Sequence, residues 1–208
     1  MPLASVSKTA LFGDSSALPD VESIVRNLAH DLRQPLSAIE SIAFYLDLMM
    51  VDENSKSRKQ VNRLRELVQQ TNWVVSNAIH STGSARLSLE ITDIGSVAAD
   101  AATKWASETG SQVTLVRPEQ IRSQLLDEQQ ISLAFENILS FFNRGSLVHV
   151  SITTCDQQAE IELSSIELRL PEADCLALQA TERIIDQHGG SLHFDPPAMV
   201  RVVLPYRF

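Results

Sequence analysis

The chain has 208 residues, 44% of them hydrophobic, with 26 acidic against 17 basic side chains and a formal net charge of −9. That length and composition describe one large or two small globular units with apolar cores. The acidic balance argues against a nucleic-acid partner, whose phosphates demand basic patches, and no run approaches the ~20 apolar residues of a membrane span. The first twenty residues lack the basic start and apolar middle of a signal peptide, so a cytoplasmic location is expected. Cys155 and Cys175 have no metal-ligand spacing around them; they are expected to be reduced thiols, partly or wholly buried, and no metal site is expected.

Residues 1–19, rich in Ser, Ala, Gly and Pro, read as a loose tail. Asp20 is placed to cap a helix with Glu22 in its first turn. Val21, Ile24, Val25, Leu28, Leu32, Leu36, Ile39, Ala43 and Leu46 then follow the mixed three-and-four spacing of an amphipathic helix. Asp52–Ser55 reads as a turn, and Val61, Leu64, Val68, Thr71, Val75 and Ala78 form the stripe of a second helix. The basic cluster Lys56, Arg58, Lys59, Arg63 and Arg65 on that helix reads as a solvated face. Ser81, Thr82, Gly83 and Ser84 punctuate the chain and suggest a boundary. The expected organisation is therefore a tail (1–19), a helical hairpin (20–83) and a second unit (84–208). An antiparallel hairpin with one apolar face leaves that face wet unless two copies pair, so a homodimeric four-helix bundle is expected.

The second unit changes period. A short strand with Leu87, Leu89 and Ile91 leads to a helix near 94–108, a strand at 112–116 and a helix over about 127–143. Alternating segments follow at 147–154 and 159–164, then a helix over about 173–187 that ends at Gly189–Gly190, and strands near 191–194 and 199–205. The fold class is α+β: a helical hairpin followed by an α/β sandwich with helices on one face of a mixed sheet.

The segment His30-Asp31-Leu32-Arg33-Gln34-Pro35-Leu36 is the most informative in the chain. His30 lies about 200° and 160° around the helix from Leu28 and Leu32, on a face it shares with Arg26, Asn27, Arg33, Gln34, Ser37 and Ser41. Pro35 has no N–H, so the Asp31 carbonyl loses its helical partner and the helix is loosened after His30. An imidazole is partly neutral near pH 7 and can attack phosphorus through one ring nitrogen, while Asp31 is placed to engage the other. Spacing alone leaves two readings open: a reactive pair, or two ordinary surface residues.

The string HDLRQPLSAIE resembles the phospho-acceptor motif of sensor histidine kinases, a His followed by an acid, Leu, Arg, any residue, Pro and Leu, on the first helix of a hairpin. The resemblance implies that His30 accepts a phosphoryl group, that Asp31 orients or deprotonates its imidazole, and that Gln34 occupies the position that orients water for hydrolysis, where the family usually has Thr or Asn. Arg26, Asn27, Arg33, Ser37 and Ser41 would then form the partner-binding face.

Residues 84–208 resemble the ATP-binding domain of the same family, with Phe135-Glu136-Asn137-Ile138-Leu139 and Arg183-Ile184-Ile185-Asp186-Gln187-His188-Gly189-Gly190 as landmarks. The nucleotide-holding positions depart from the pattern. Aligning Asn137 with the family's first helix Asn places Phe141 at the second, which holds Mg²⁺, and a phenyl ring cannot ligate a hard cation. Ser165, Glu167 and Arg169 replace the Asp and two Gly of the adenine-binding segment, and Cys175 and Ala177 replace the second glycine pair; bulky side chains close an approach that glycine permits. Little chain separates Pro171 from the next helix, so the lid is expected to be missing. Asn137 and His188 are then expected to be a helix-surface or capping amide and a helix-end histidine.

The resemblance thus implies a degenerate ATPase-like sandwich with no nucleotide and no cofactor of its own. The favoured reading is a histidine phosphotransferase of a two-component phosphorelay, exchanging phosphoryl groups with response-regulator receiver domains that supply their own Mg²⁺. The alternatives are a non-catalytic pseudokinase that binds a receiver or another kinase, and an active kinase with an atypical nucleotide site.

Overall fold

The computed structural model describes residues 21–49, 56–83, 85–173, 175–195 and 198–206. The expected tail, the Asp20 cap and the Asp52–Ser55 turn lie outside them. Two long helices, α1 (Val21–Met49) and α2 (Lys56–Ser81), pack against each other as the expected hairpin. α1 runs on through Pro35 without a break. The seam between them is narrow. Ala29 and Ala43 are buried on α1, and Val61, Val68, Val75 and Ile79 on α2. The seven-residue repeat of these valines keeps one stripe of α2 against α1 over several turns. Toward the connected end, Arg58 and Arg65 lie 3.0 and 3.6 Å from the Asp47 carboxylate, so part of the basic cluster is paired across the hairpin.

The remainder is a sandwich. Its elements are β1 (Glu90–Thr92), α3 (Ile94–Thr109), β2 (Gln112–Val116), β3 (Gln124–Leu126), α4 (Glu128–Ser140), β4 (Leu147–Thr154), β5 (Gln158–Ser164), α5 (Leu176–Gln187), β6 (Ser191–Asp195) and β7 (Met199–Pro205). The five-stranded sheet has the order β2-β4-β5-β7-β6, with β2 and β4 parallel and the other pairs antiparallel. Strict alternation decides its two faces. Val148, Val150, Ile152, Ala159, Ile161, Leu163, Val200, Val202 and Leu204 turn to the helices and are buried with Ile131, Phe135, Ile138, Ile184 and Ile185. Their neighbours face outward, where Arg201 binds Glu160 and Glu162. Asp93 and Asp127 cap α3 and α4 through their side chains, satisfying amides that no helical carbonyl can reach. After α5 the chain turns at Gly189, whose φ of 70° favours glycine. A Cβ on Gly190 would collide with the Val203 carbonyl.

Several expectations are corrected. The strand through Leu87, Leu89 and Ile91 is only Glu90–Thr92, and Leu87, Leu89 and Ile91 are exposed. It pairs with β3, a strand too short to show a period, in a separate two-stranded sheet. α4 stops at Ser140, because Phe141 and Phe142 leave the helix to pack inward. α5 starts at Leu176 rather than near 173. Cys175 is half-buried, within the expectation of partly or wholly buried thiols, but Cys155 is exposed.

Asn137 is not a surface or capping amide. It is fully buried, and it exchanges hydrogen bonds with Asn77 of α2: Asn137 Nδ2 donates to Asn77 Oδ1 at 2.7 Å, and Asn77 Nδ2 to Asn137 Oδ1 at 3.1 Å. Asn137 Nδ2 also faces Ala177 O and Thr181 Oγ1 at 3.2 and 3.1 Å. The pair therefore joins the hairpin to α4 and α5. A buried amide that loses its partner keeps its desolvation cost, about 1–3 kcal/mol. Asn77→Leu is expected to lower unfolding free energy by roughly that amount, read from the urea midpoint; a midpoint equal to wild type would show that the pair contributes nothing net.

Candidate functional site

On α1, Ala29 is turned into the hairpin seam, and the next residue, rotated about 100°, points away from it. That residue is His30, with 82% of its side chain exposed. Its Nδ1 lies 3.4 Å from Asp31 Oδ1. So long a contact between two exposed groups is weak, but it selects an orientation. With the Nδ1 proton toward the carboxylate, the lone pair is on Nε2, which faces away from Asp31.

His30, Arg33, Gln34 and Ser37 line a shallow recess of about 380 Å³. Their spacing of three, four and seven residues places them on one helix face. Ser41 Oγ donates to the Ser37 carbonyl at 2.8 Å, one turn further on. Arg33 Nη2 donates to Ser76 Oγ of α2 at 3.2 Å, across the hairpin. Of the residues singled out in the sequence, His30, Arg33, Gln34 and Ser37 are thus brought together. Arg26, Asn27 and Ser41 are exposed on α1 but lie outside the recess.

Two residues on α2, Ser76 and His80, belong to this neighbourhood and carry no signal in sequence, since only the pairing of the helices places them opposite Arg33. His80 is partly buried and its Nδ1 has no hydrogen-bond partner among the described residues. Burial holds its pKa below the usual histidine value; the nearby Asp127 carboxylate opposes that shift and the Arg33 guanidinium adds to it.

The positions that the resemblance implies for a nucleotide site lie around a closed, largely apolar corner. Phe141 is buried with Ala177 and Leu178, and Trp73 of α2, Cys175 and Phe194 pack against them. The Phe141 and Phe194 rings are tilted at 49° with centroids 6.2 Å apart. The 165–169 segment is pinned to the end of α4: Arg169 N donates to Phe141 O at 2.9 Å, and Asn143 N to Glu167 O at 3.3 Å. Ser165 is buried, and its Oγ accepts from Glu167 N at 3.3 Å. Glu167 and Arg169 project outward. His188 is the expected helix-end residue and is also buried, its Nε2 accepting from Asp127 N at 3.0 Å and its Nδ1 donating to Ile184 O at 2.7 Å. Among the described residues no cluster of His, Cys, Asp and Glu is arranged to hold a metal ion.

No family model matches the sequence, and no curated protein matches it. The structure is similar to that of full-length ShkA in complex with AMPPNP, at 18% identity and a TM-score of 0.62, over 88% of this chain and 45% of ShkA. The chain thus spans less than half the length of ShkA. It is also similar to the Acinetobacter baumannii histidine kinase AdeS, at 12% identity and a TM-score of 0.57, over 86% of this chain and 98% of that one. The catalytic domain of the histidine kinase ThkA matches at 9% identity and a TM-score of 0.50, over 57% of this chain and 98% of that domain. The chain therefore has a histidine-kinase-like fold, a helical hairpin followed by an ATPase-like sandwich.

His80 gives the site a pH dependence with a definite sign. Its pKa is lowered in the folded chain, so the unfolded chain binds the proton more readily and stability is lost as pH falls below about 6.5 toward the folded value. Above that window the contribution is complete. Urea unfolding of wild type and His80→Gln at pH 7.5 and 5.5 is expected to show a smaller loss in the variant.

Proposed function

We propose that this chain is a histidine phosphotransferase of a two-component phosphorelay, in which His30 takes a phosphoryl group from the aspartyl phosphate of one receiver domain and passes it to another. The observation that carries this reading is the exposed His30 ring, with Nδ1 turned to Asp31 and Nε2 left open, on the hairpin of a histidine-kinase-like fold. In the accepting step the Nε2 lone pair attacks phosphorus, an N–P bond forms, and the acyl P–O bond breaks with its electrons leaving on the receiver carboxylate. The Nδ1 proton stays against Asp31, which stabilises the charge the ring acquires. The metal that polarises the phosphoryl group, a Mg²⁺, comes with the receiver, so this chain needs no metal of its own. Gln34, on the recess face one turn from His30, would orient a water for hydrolysis.

The apolar corner around Phe141 supports the absence of ATP from this cycle. A buried phenyl stands where the resemblance expects an Mg²⁺-holding amide, and the Asn137 amide is engaged by Asn77 and Thr181. The segment that would have to open for an adenine is held by the Arg169–Phe141 backbone bond. These departures favour partner proteins over ATP as the phosphate source.

The hairpin supports a homodimer. Leu28, Leu32, Ile39, Ile42 and Leu46 of α1, with Leu64 and Leu67 of α2, are exposed outside the intrahairpin seam. Full burial of each is worth roughly 1.5–3 kcal/mol, and a second copy offers the same surface in return, closing a four-helix bundle. None of the described helices is long and apolar enough to cross a membrane.

Incubation with a phosphorylated receiver is expected to label wild type and leave His30→Ala unlabelled; wild type that stays unlabelled with every receiver while still binding one would make the chain a non-catalytic pseudokinase. ATP should give no thermal shift, whereas binding at a hundredfold excess over Kd would add about 2.7 kcal/mol. Light scattering should return twice the chain mass, and Leu32→Glu with Ile39→Glu should return it once.

A further inference from the structure

The recess beside His30 contains a cation that the transfer chemistry above does not use. Phosphorylated His30 carries up to two negative charges, in a chain of formal net charge −9, beside the Asp31 carboxylate. Of the residues that line the recess, Arg33 alone carries a fixed positive charge.

Arg33 is held differently from the cations that face carboxylates. Arg58 and Arg65 face Asp47, Arg63 faces Glu66, Lys104 faces Glu136, and Arg201 faces three carboxylates. Arg33 has no ion pair among the described residues; its partner is the neutral hydroxyl of Ser76. A hydroxyl fixes the direction of the guanidinium without cancelling its charge. That charge also reaches the partly buried His80, whose pKa burial lowers and Arg33 lowers further. A planar guanidinium with one donor engaged still offers others in a fork that matches two phosphoryl oxygens.

We propose that Arg33, aimed by Ser76, is an anion subsite for the phosphoryl group in transit on His30, rather than only a partner-docking residue. The proposal rests on the reading of His30 as phospho-acceptor. Residues three apart on a helix have neighbouring Cβ atoms, about 5–6 Å apart, so the long Arg33 side chain reaches oxygens bound to His30 Nε2. As the N–P bond forms and the bond to the leaving group breaks, negative charge spreads over the three equatorial phosphoryl oxygens, and Arg33 donates to them without moving a proton. Arg33 is then a catalytic residue that touches the transferred group, and Ser76 a positioning residue that acts through it.

The test separates chemistry from docking by using phosphoramidate, a small donor whose N–P bond breaks to release ammonia while the His30 N–P bond forms. Full-length wild type, Arg33→Gln, Arg33→Lys, Ser76→Ala and a His30→Ala blank are labelled with no receiver present. Formation of phospho-His30 is followed by mass, and its ³¹P resonance is titrated against pH. Arg33→Gln is expected to slow labelling about tenfold, short of the 10²–10³ of a buried oxyanion donor because this site is wet. Arg33→Lys should retain an intermediate rate and Ser76→Ala a few-fold loss. The phosphoryl group should titrate at lower pH in wild type than in Arg33→Gln, a signature that a merely structural role would not move. Rates within twofold of wild type and an unchanged ³¹P titration would overturn the subsite, as would a loss seen only when a receiver is the donor. If wild type takes no label from phosphoramidate, the acceptor reading falls and the subsite with it. If these arms behave as expected and no receiver exchanges phosphate, phosphotransfer between proteins fails while the subsite stands.

Discussion

Asn77 on the hairpin and Asn137 in the sandwich exchange hydrogen bonds out of contact with water, and the arrangement of everything around them follows from that pairing. Apolar contacts between helices tolerate sliding and small rotations, whereas two amides that meet in a dry interface are satisfied in few geometries and costly in the rest. The pair therefore sets the rotation of α2 about its axis. Trp73, one turn earlier, is directed to the Phe141 cluster, and Arg183 of α5 reaches the Thr82 carbonyl at 3.5 Å beyond the other end. Ser76, adjacent to Asn77 and about 100° away around the helix, is left facing α1, where it meets Arg33. A contact in the core of the sandwich interface thus determines which side chain of α2 reaches the recess beside His30.

α1 divides its surface among three tasks. A thin line of alanines meets α2, where small side chains let the two axes approach. The larger leucines and isoleucines flank that line and remain exposed in the single chain. His30, Arg33, Gln34 and Ser37 occupy the polar side. The His30 ring can be exposed because no apolar neighbour needs it for packing. The same exposure keeps its contact with Asp31 weak, so the carboxylate orients the imidazole more than it binds it.

The corner around Phe141 is closed by packing rather than by polar groups. Aromatic and aliphatic side chains fill the space, and backbone hydrogen bonds from the 165–169 segment satisfy the groups that the filling excludes from water. Asn137 and His188, polar residues of the kind that ligand sites use, are engaged within the protein: the first across to α2, the second between the α5 end and the Asp127 cap.

Much of this was legible in the sequence. The two helices of the hairpin, the long strands β4, β5 and β7, and the exposed position of His30 all follow from period, because side-chain direction repeats with backbone geometry and needs no partner to be read. The order of strands, the short β1–β3 sheet and the inward turn of Phe141 depend on distant chain segments, and three-residue strands carry no period at all. The burial of Asn137 is hidden for the same reason: an amide on a helix looks exposed until the helix that covers it is known. Ser76 and His80 were invisible beside His30, since a hairpin's two helices can be paired in several rotations with the same apolar pattern. The sequence by itself determined that His30 would be a free imidazole next to an acid on the polar side of a helix. Only the tertiary structure decided that Arg33, on the same face, would meet the neutral Ser76 hydroxyl and no carboxylate among the described residues, because that depended on where α2 was locked.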